Sequence, residues 1–153
     1  MSNAVTTRTL NSDDLDAIVD IDERTGGVER RAFWEGKVLI QEGSRPPWTS
    51  RVAESDGQVI GFLFCHYDEL EFGLPGITAW VDIIGVHPGY RRLGVAATLM
   101  EDFTFSAEDL GIERIFTLVS EADHPDVGEF FNNQGFTEGR MKHFRKDLKG
   151  SGD

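Results

Sequence analysis

Hydrophobic positions along this chain keep two rhythms, and the changes from one to the other mark its elements. The stretch 81–100, VDIIGVHPGYRRLGVAATLM, shows the change most plainly. A run rich in β-branched residues breaks at His87-Pro88-Gly89, after which Val95, Ala96, Leu99 and Met100 recur at helical spacing. The pattern predicts strand, turn and helix. Upstream, residues 4–10 read as a short strand, Ser12-Asp13-Asp14 as the cap of a helix bearing Leu15, Ile18, Val19 and Asp22, and Thr25-Gly26-Gly27 as its end. A second helix over 29–41 is expected to bury some of Phe33, Trp34, Val38 and Leu39, leaving through a loop that Pro46 and Pro47 stiffen. Strands 51–54 and 59–67 meet at Asp56-Gly57, a strong hairpin signal, and the second is apolar enough to be central.

Residues 68–78 turn acidic and glycine-rich before strand 79–86. The helix over 93–110 carries Ala96, Leu99, Met100, Phe103, Ala107 and Leu110 as one stripe and stops at Gly111. Strand 114–120 then follows by a right-handed crossover, parallel to 79–86. Asp123–Asp126 opens a short helix with Val127, Phe130 and Phe131 inward, ending at Gln134-Gly135. Residues 136–148 are expected to close the sheet, with a loose tail after them. The order implies an α/β fold of the α+β type in one domain over 1–153, with an ordered core over about 4–148.

Composition narrows the chemistry. A chain of 153 residues can bury a substantial core, and one cysteine, Cys65, excludes an internal disulfide. No apolar run approaches the length of a membrane span, and no basic, apolar leader opens the sequence, so a soluble, cytoplasmic protein without a membrane partner is expected. The net charge of −12 argues against nucleic acid and favours a cationic partner, although an acid excess also serves solubility. His66, His87, His124 and His143 show no close metal-ligand spacing, so no metal is expected. Phosphate loops of the Gly-x-x-x-x-Gly-Lys type and dinucleotide glycine spacing are missing too.

The turn at Arg91-Arg92-Leu93-Gly94-Val95-Ala96 is different. It places small residues where a helix begins and where unpaired N–H groups and the positive dipole end favour an anion. An apolar strand, His-Pro and then Arg-x-x-Gly-x-Ala opening a helix resembles the coenzyme A signature of the GNAT superfamily of acetyl-CoA-dependent N-acyltransferases. Phe130-Phe131-Asn132-Asn133-Gln134-Gly135-Phe136 is similar to a second GNAT motif, Phe-Tyr, three residues, Gly-Phe. The two motifs, with the elements between them, span about 79–148. The resemblance implies a mixed, twisted sheet of six or seven strands, helices on both faces, and a central pair splayed apart after Val86. It implies acetyl-CoA as co-substrate, with its pyrophosphate on the amides of Arg91, Arg92, Leu93, Gly94, Val95 and Ala96. Ile84, Gly85 and Val86 would line the strand end, the Val86 N–H serving the thioester carbonyl. Phe131 replaces the family's proton-donating tyrosine, and His124 stands where an asparagine often contacts the cofactor. Tyr90, Tyr67, Ser120 or water remain as acids for the thiolate. Homodimers are common among proteins of this kind.

Acyl transfer also needs a neutral amine. Deprotonating a lysine-like amine at pH 7 costs about 4 to 5 kcal/mol, whereas an α-amine costs only about 1 to 1.5. A base is therefore expected, and Asp82, the one carboxylate within strand 79–86, is the candidate. Asp82 could instead lie on an open face or pair with an arginine, and Glu69 and Glu71 are weaker alternatives. Trp80, Trp48 and Glu69 are the candidates for holding a small-molecule or peptide amine, cationic by their chemistry. The reading is an N-acetyltransferase acting by direct attack, and the alternative is an acyl-CoA-binding regulatory domain of the same fold.

Overall fold

Asp56 and Gly57, both at positive φ (53° and 77°), form the two-residue turn that sets β2 (Arg51–Ser55) against β3 (Gln58–Glu69). Positive φ at both central positions matches the twist of a tight hairpin. β1 (Thr6–Thr9) pairs antiparallel with β2, and β4 (Ile77–Val86) antiparallel with β3. β5 (Arg114–Thr117) lies parallel to β4, giving the order β1-β2-β3-β4-β5. These elements come from a computed structural model describing residues 4–43, 50–120 and 125–150, which divides into units Met1–Val119 and Ser120–Asp153.

The sheet has five strands rather than the six or seven expected, and among the described residues 136–148 form no strand. The spacing explains the difference. Met141, Phe144 and Leu148 fall three and four residues apart, so the stretch lacks the alternation that gives a strand one apolar face, and all three side chains are exposed.

α1 (Leu15–Gly26) is preceded by a single 3-10 turn whose cap is Asn11 rather than Ser12. The Asn11 side chain accepts from the Asp13 N–H while the Asp14 carboxylate accepts from the Asn11 N–H, the reciprocal pair of a capping box. α2 (Arg31–Gly43) follows. Ile18, Val19 and Ile21 of α1 and Trp34 and Val38 of α2 pack on Val52, Phe62 and Phe64 of the sheet. Phe33 and Leu39 stay exposed, because the apolar stripe of α2 is only wide enough to turn Trp34 and Val38 inward. Trp34, 1% exposed, meets Phe62 edge-on at 5.2 Å, and its indole N–H donates to Asp22 at 2.8 Å.

α3 (Val95–Asp109) covers the opposite face. Strand neighbours point to opposite sides, so with Phe62 facing α1 and α2, Gly61 faces α3. Its missing side chain is structural: a Cβ there would sit 2.7 Å from Val95 Cγ1 and 3.3 Å from Leu99 Cδ1. Asp102 moors the same helix by accepting from Thr7 Oγ1 at 2.8 Å and Arg51 Nε at 2.7 Å. In the second unit, α4 (Val127–Asn133) ends in a turn where the Phe136 N–H donates to the Phe131 carbonyl. Among the described residues, no helix is long and apolar enough to cross a membrane.

Asp22 joins the two N-terminal helices, accepting from Arg30 at 2.8 and 2.9 Å as well as from Trp34. The Arg30 hydrogen bonds hold its carboxyl below the ordinary range, with the Trp34 bond helping and burial opposing. Asp22→Ala leaves a buried N–H unpaired and should cost about 1 to 3 kcal/mol, lowering Tm by several degrees in a thermal melt. Because the folded-state pKa is the lower one, the contribution of Asp22 is complete above the unfolded-state value and disappears as pH falls through the folded-state value. The difference in Tm between wild type and Asp22→Ala should therefore shrink on acidification.

Candidate active site

Pairing between β4 and β5 runs only from Thr78 with Arg114 to Val81 with Thr117. The Thr117 hydroxyl donates to the Val81 carbonyl at 3.0 Å where the ladder stops, and β4 continues to Val86 along β3 alone. The strands thus separate after Val81, earlier than the expected separation after Val86, because β5 ends at Thr117 rather than Ser120. Main-chain groups alternate in direction along an antiparallel strand. The His87 N–H points to β3, where it donates to the Ile60 carbonyl at 2.8 Å, so the N–H groups of Val86 and Ile84 face the open edge and that of Gly85 faces β3. Gly85 contributes space instead, since a Cβ there would run into the ring of Phe62.

Beyond this edge the chain makes a 3-10 turn, Pro88–Tyr90, in which His87 Nδ1 accepts from the Gly89 N–H at 2.9 Å. Arg92 and Gly94 follow at φ 73° and 71°. Such a conformation costs a non-glycine residue on the order of 1 kcal/mol or more, and here it turns the main chain so that α3 begins at Val95. Among the described residues, no oxygen takes the N–H of Arg91, Arg92, Gly94, Val95 or Ala96, and α3 has no side-chain cap. Leu93 differs from the expectation, its N–H being directed to the Tyr90 carbonyl at 3.4 Å. A Cβ at Gly94 would meet nothing within 4 Å, so the turn opens outward. An anion can reach those amides.

A second cluster stands on β3, β4 and β5, where His66 pairs with Trp80 and Trp80 with Phe116. His66 and Trp80 lie nearly parallel, 8° apart with centroids 6.3 Å apart, and Phe116 meets Trp80 at 5.3 Å. Between Phe64–Ile83 and Cys65–Val81 the register slips, which leaves Asp82 as the extra residue of a β-bulge. Asp82 lies exposed on the sheet, one of the two alternatives, and pairs with a histidine instead of an arginine. Its carboxylate oxygens lie 2.8 and 2.9 Å from His66 Nδ1, with the side chain 24% exposed. The other ring nitrogen, Nε2, is 3.8 Å from Asp68 Oδ2. β2 begins at Arg51, opposite Leu63, so among the described residues β3 has no strand on that side beyond Leu63. There the Ser50 hydroxyl accepts from the Cys65 N–H at 3.0 Å and Gln41 Nε2 donates to the Cys65 carbonyl at 2.8 Å, fixing the main chain next to His66.

Glu71, rather than Glu69, meets Trp80, accepting from its indole N–H at 2.9 Å; Glu69 is exposed at the end of β3. Phe72 packs against both Trp80 and Phe116 at 6.1 Å. Leu70 and Phe72 hold φ values of 56° and 54°, in a loop closed by Leu70 N–H to Gly76 O and Gly73 N–H to Leu70 O. Two left-handed non-glycine residues in one short loop are unusual and mark it as held in place by its surroundings. Trp48 and His124 lie outside the described residues, as does the loop 45–49. In the second unit Phe131 is buried, its ring edge-on to Phe130 and Phe136 at 5.2 and 5.1 Å. Tyr67 is adjacent to His66 and so on the other face of the sheet; burial pushes its phenol up.

His66 is the residue that sequence reasoning missed. The one signal was a histidine ending the apolar run of β3, and its meaning depends on the β3–β4 register.

A family model described as the acetyltransferase (GNAT) family matches residues 15–136. None of the curated proteins is a match for the chain. Among solved structures, the aminoglycoside N-acetyltransferase AAC(6')-Iy in complex with CoA superposes with a TM-score of 0.81 at 16% identity, over 97% of this chain and 98% of that one. A ribosomal-protein-alanine N-acetyltransferase from Brucella melitensis biovar Abortus 2308 gives 0.73 at 18%, over 95% and 100%. A transcriptional regulator from Bacillus halodurans C-125 gives 0.75 at 19%, over 92% and 100%. At these identities the likenesses show a shared fold. With the family match over 15–136, the bared amides before α3 and the open edge of β4 together, the chain belongs to the GNAT acetyltransferase family.

Proposed function

We propose that this protein is an N-acetyltransferase that moves an acetyl group from acetyl-CoA to a primary amine by direct attack. The observation that carries the reading is the pairing of two unoccupied sets of main-chain donors. One is the row Arg91, Arg92, Gly94, Val95 and Ala96 at the start of α3, and the other is the free edge of β4 up to Val86. The first suits a pyrophosphate. The second suits a pantetheine arm lying between β4 and β5, with the Val86 N–H directed at the thioester oxygen, where negative charge grows as the amine attacks. Ile84 would supply the next main-chain groups along the arm. CoA bound to AAC(6')-Iy supports the same choice of donor here. The donor supplies an activated acyl carbon and a thiolate, which leaves readily near neutral pH.

The acceptor belongs on the face of Trp80, Phe72 and Phe116, where Glu71, Asp68 and Asp82 supply negative charge around an aromatic surface. Such a surface suits a cationic amine, through ring faces and carboxylates together. A bisubstrate analogue of acetylneamine bound to AAC(6')-Iy is consistent with an acceptor of that kind. Phe131 carries no proton, so thiolate protonation falls to solvent or to Tyr90, which stands edge-on to His87 beside the phosphate turn.

Incubation with acetyl-CoA and a panel of cationic amines should release free thiol, read with a thiol reagent, in step with acetylated product. Binding of coenzyme A by calorimetry without thiol release from any amine would instead favour a regulatory acyl-CoA-binding domain. Gly94→Glu puts bulk, negative charge and a strained φ into the turn, and should lower coenzyme A affinity by at least about a hundredfold, or about 2.7 kcal/mol, without unfolding the chain. Unchanged affinity would remove the pyrophosphate from this turn.

A further inference from the structure

We propose that His66 is the group that takes the proton from the acceptor amine, and that Asp82 is its positioning residue rather than the base itself. The proposal rests on the acetyl-transfer reading above. Both Asp82 oxygens are turned to His66 Nδ1, at 2.8 and 2.9 Å, which assigns the proton of the neutral ring to Nδ1 and leaves the Nε2 lone pair free to accept. Three further features hold the ring in that pose. Trp80 lies parallel to it, the bulge aims Asp82 at it, and Ser50 and Gln41 clamp the main chain of the preceding residue.

The charged groups facing the ring are Asp82 from β4 and Asp68 from β3, the latter 3.8 Å from Nε2; Glu71 is committed to the indole N–H of Trp80. Asp68, too far from Nε2 for a hydrogen bond, leaves a place where an ammonium could approach a carboxylate and the lone pair together.

His66 lies opposite Trp80, six residues from Val86 on β4, so about 20 Å of strand separates the base from the Val86 N–H. The His66 ring and the acceptor cover part of that distance, and water carries the proton over the rest. The step balances. The amine nitrogen, neutral once its ammonium proton has gone to solvent, bonds to the acyl carbon, the carbon–sulfur bond breaks with its electron pair on sulfur, and a second amine proton passes through water to Nε2. The thiolate takes a proton from solvent, and the imidazolium returns its own to solvent.

The test joins spectroscopy to kinetics. Nitrogen-edited NMR of the His66 side chain should show the Nδ1–H tautomer in the neutral ring, and Asp82→Asn should change that signal; an Nε2–H tautomer overturns the proposal whether or not the protein turns over. In steady-state assays, H66Q should lower kcat by about 10²- to 10⁴-fold with the KM for acetyl-CoA nearly unchanged. The acidic limb of the kcat/KM pH profile should vanish with it, and added imidazole should restore part of the rate in H66A. Asp82→Asn should cost less than H66Q and keep an acidic limb at shifted pH. Activity within twofold of wild type in H66Q, or an acidic limb that survives in H66Q and is lost in Asp82→Asn, would make Asp82 the base and overturn the proposal. If wild type releases no thiol, the acetyl-transfer reading fails by itself, and the tautomer still decides how the His66–Asp82 pair is built.

Discussion

Two parallel strands that stop pairing before one of them ends create a problem that the rest of the architecture surrounds. Beyond Val81, β4 has β3 on one side and no strand on the other, so main-chain groups that would be buried and paired within a continuous sheet are left facing outward. An unpaired edge of this kind is costly to bury and prone to unwanted pairing. Thr117 ends the ladder cleanly with a side-chain hydrogen bond to Val81, and the Phe62 ring fills the space that a side chain at Gly85 would need. The exposed edge is short, which limits its hazard as a pairing surface, and it lies next to the helix whose first N–H groups are also unpartnered.

That adjacency depends on Gly61. With no side chain at this position, Val95 at the first turn of α3 settles directly on β3, and the Asp102 hydrogen bonds to Thr7 and Arg51 moor the helix further along. A larger residue at 61 would lift the start of α3 and move its amides away from the strand edge. One small residue on a central strand therefore governs the spacing between the two sets of donors.

The opposite stretch of β3 and β4 is organised by the bulge at Asp82. A single unpaired residue shifts the register and puts a carboxylate beside a histidine from the neighbouring strand, while Trp80 and Phe116 continue the row across the sheet. The Asp82 carboxylate fixes the orientation of the His66 ring. The loop from Leu70 to Gly76 closes over the same row, carrying backbone strain at Leu70 and Phe72 that the aromatic packing and the Glu71–Trp80 hydrogen bond offset.

Local sequence alone determined much of this. The Asp56-Gly57 hairpin, the helices with apolar stripes and the strand-turn-helix at 81–100 were all legible, because each depends on residues near one another in the chain. The sequence was read as a sheet-closing strand over 136–148, where the described residues form none. Tertiary structure decided where β4 and β5 part, that Asp82 is a bulged residue, and that its partner is His66 rather than an arginine. The reason is physical: register between β3 and β4 follows from long-range pairing across a strained loop, and a slip of one residue turns every side chain beyond it to the other face. No local pattern carries that information.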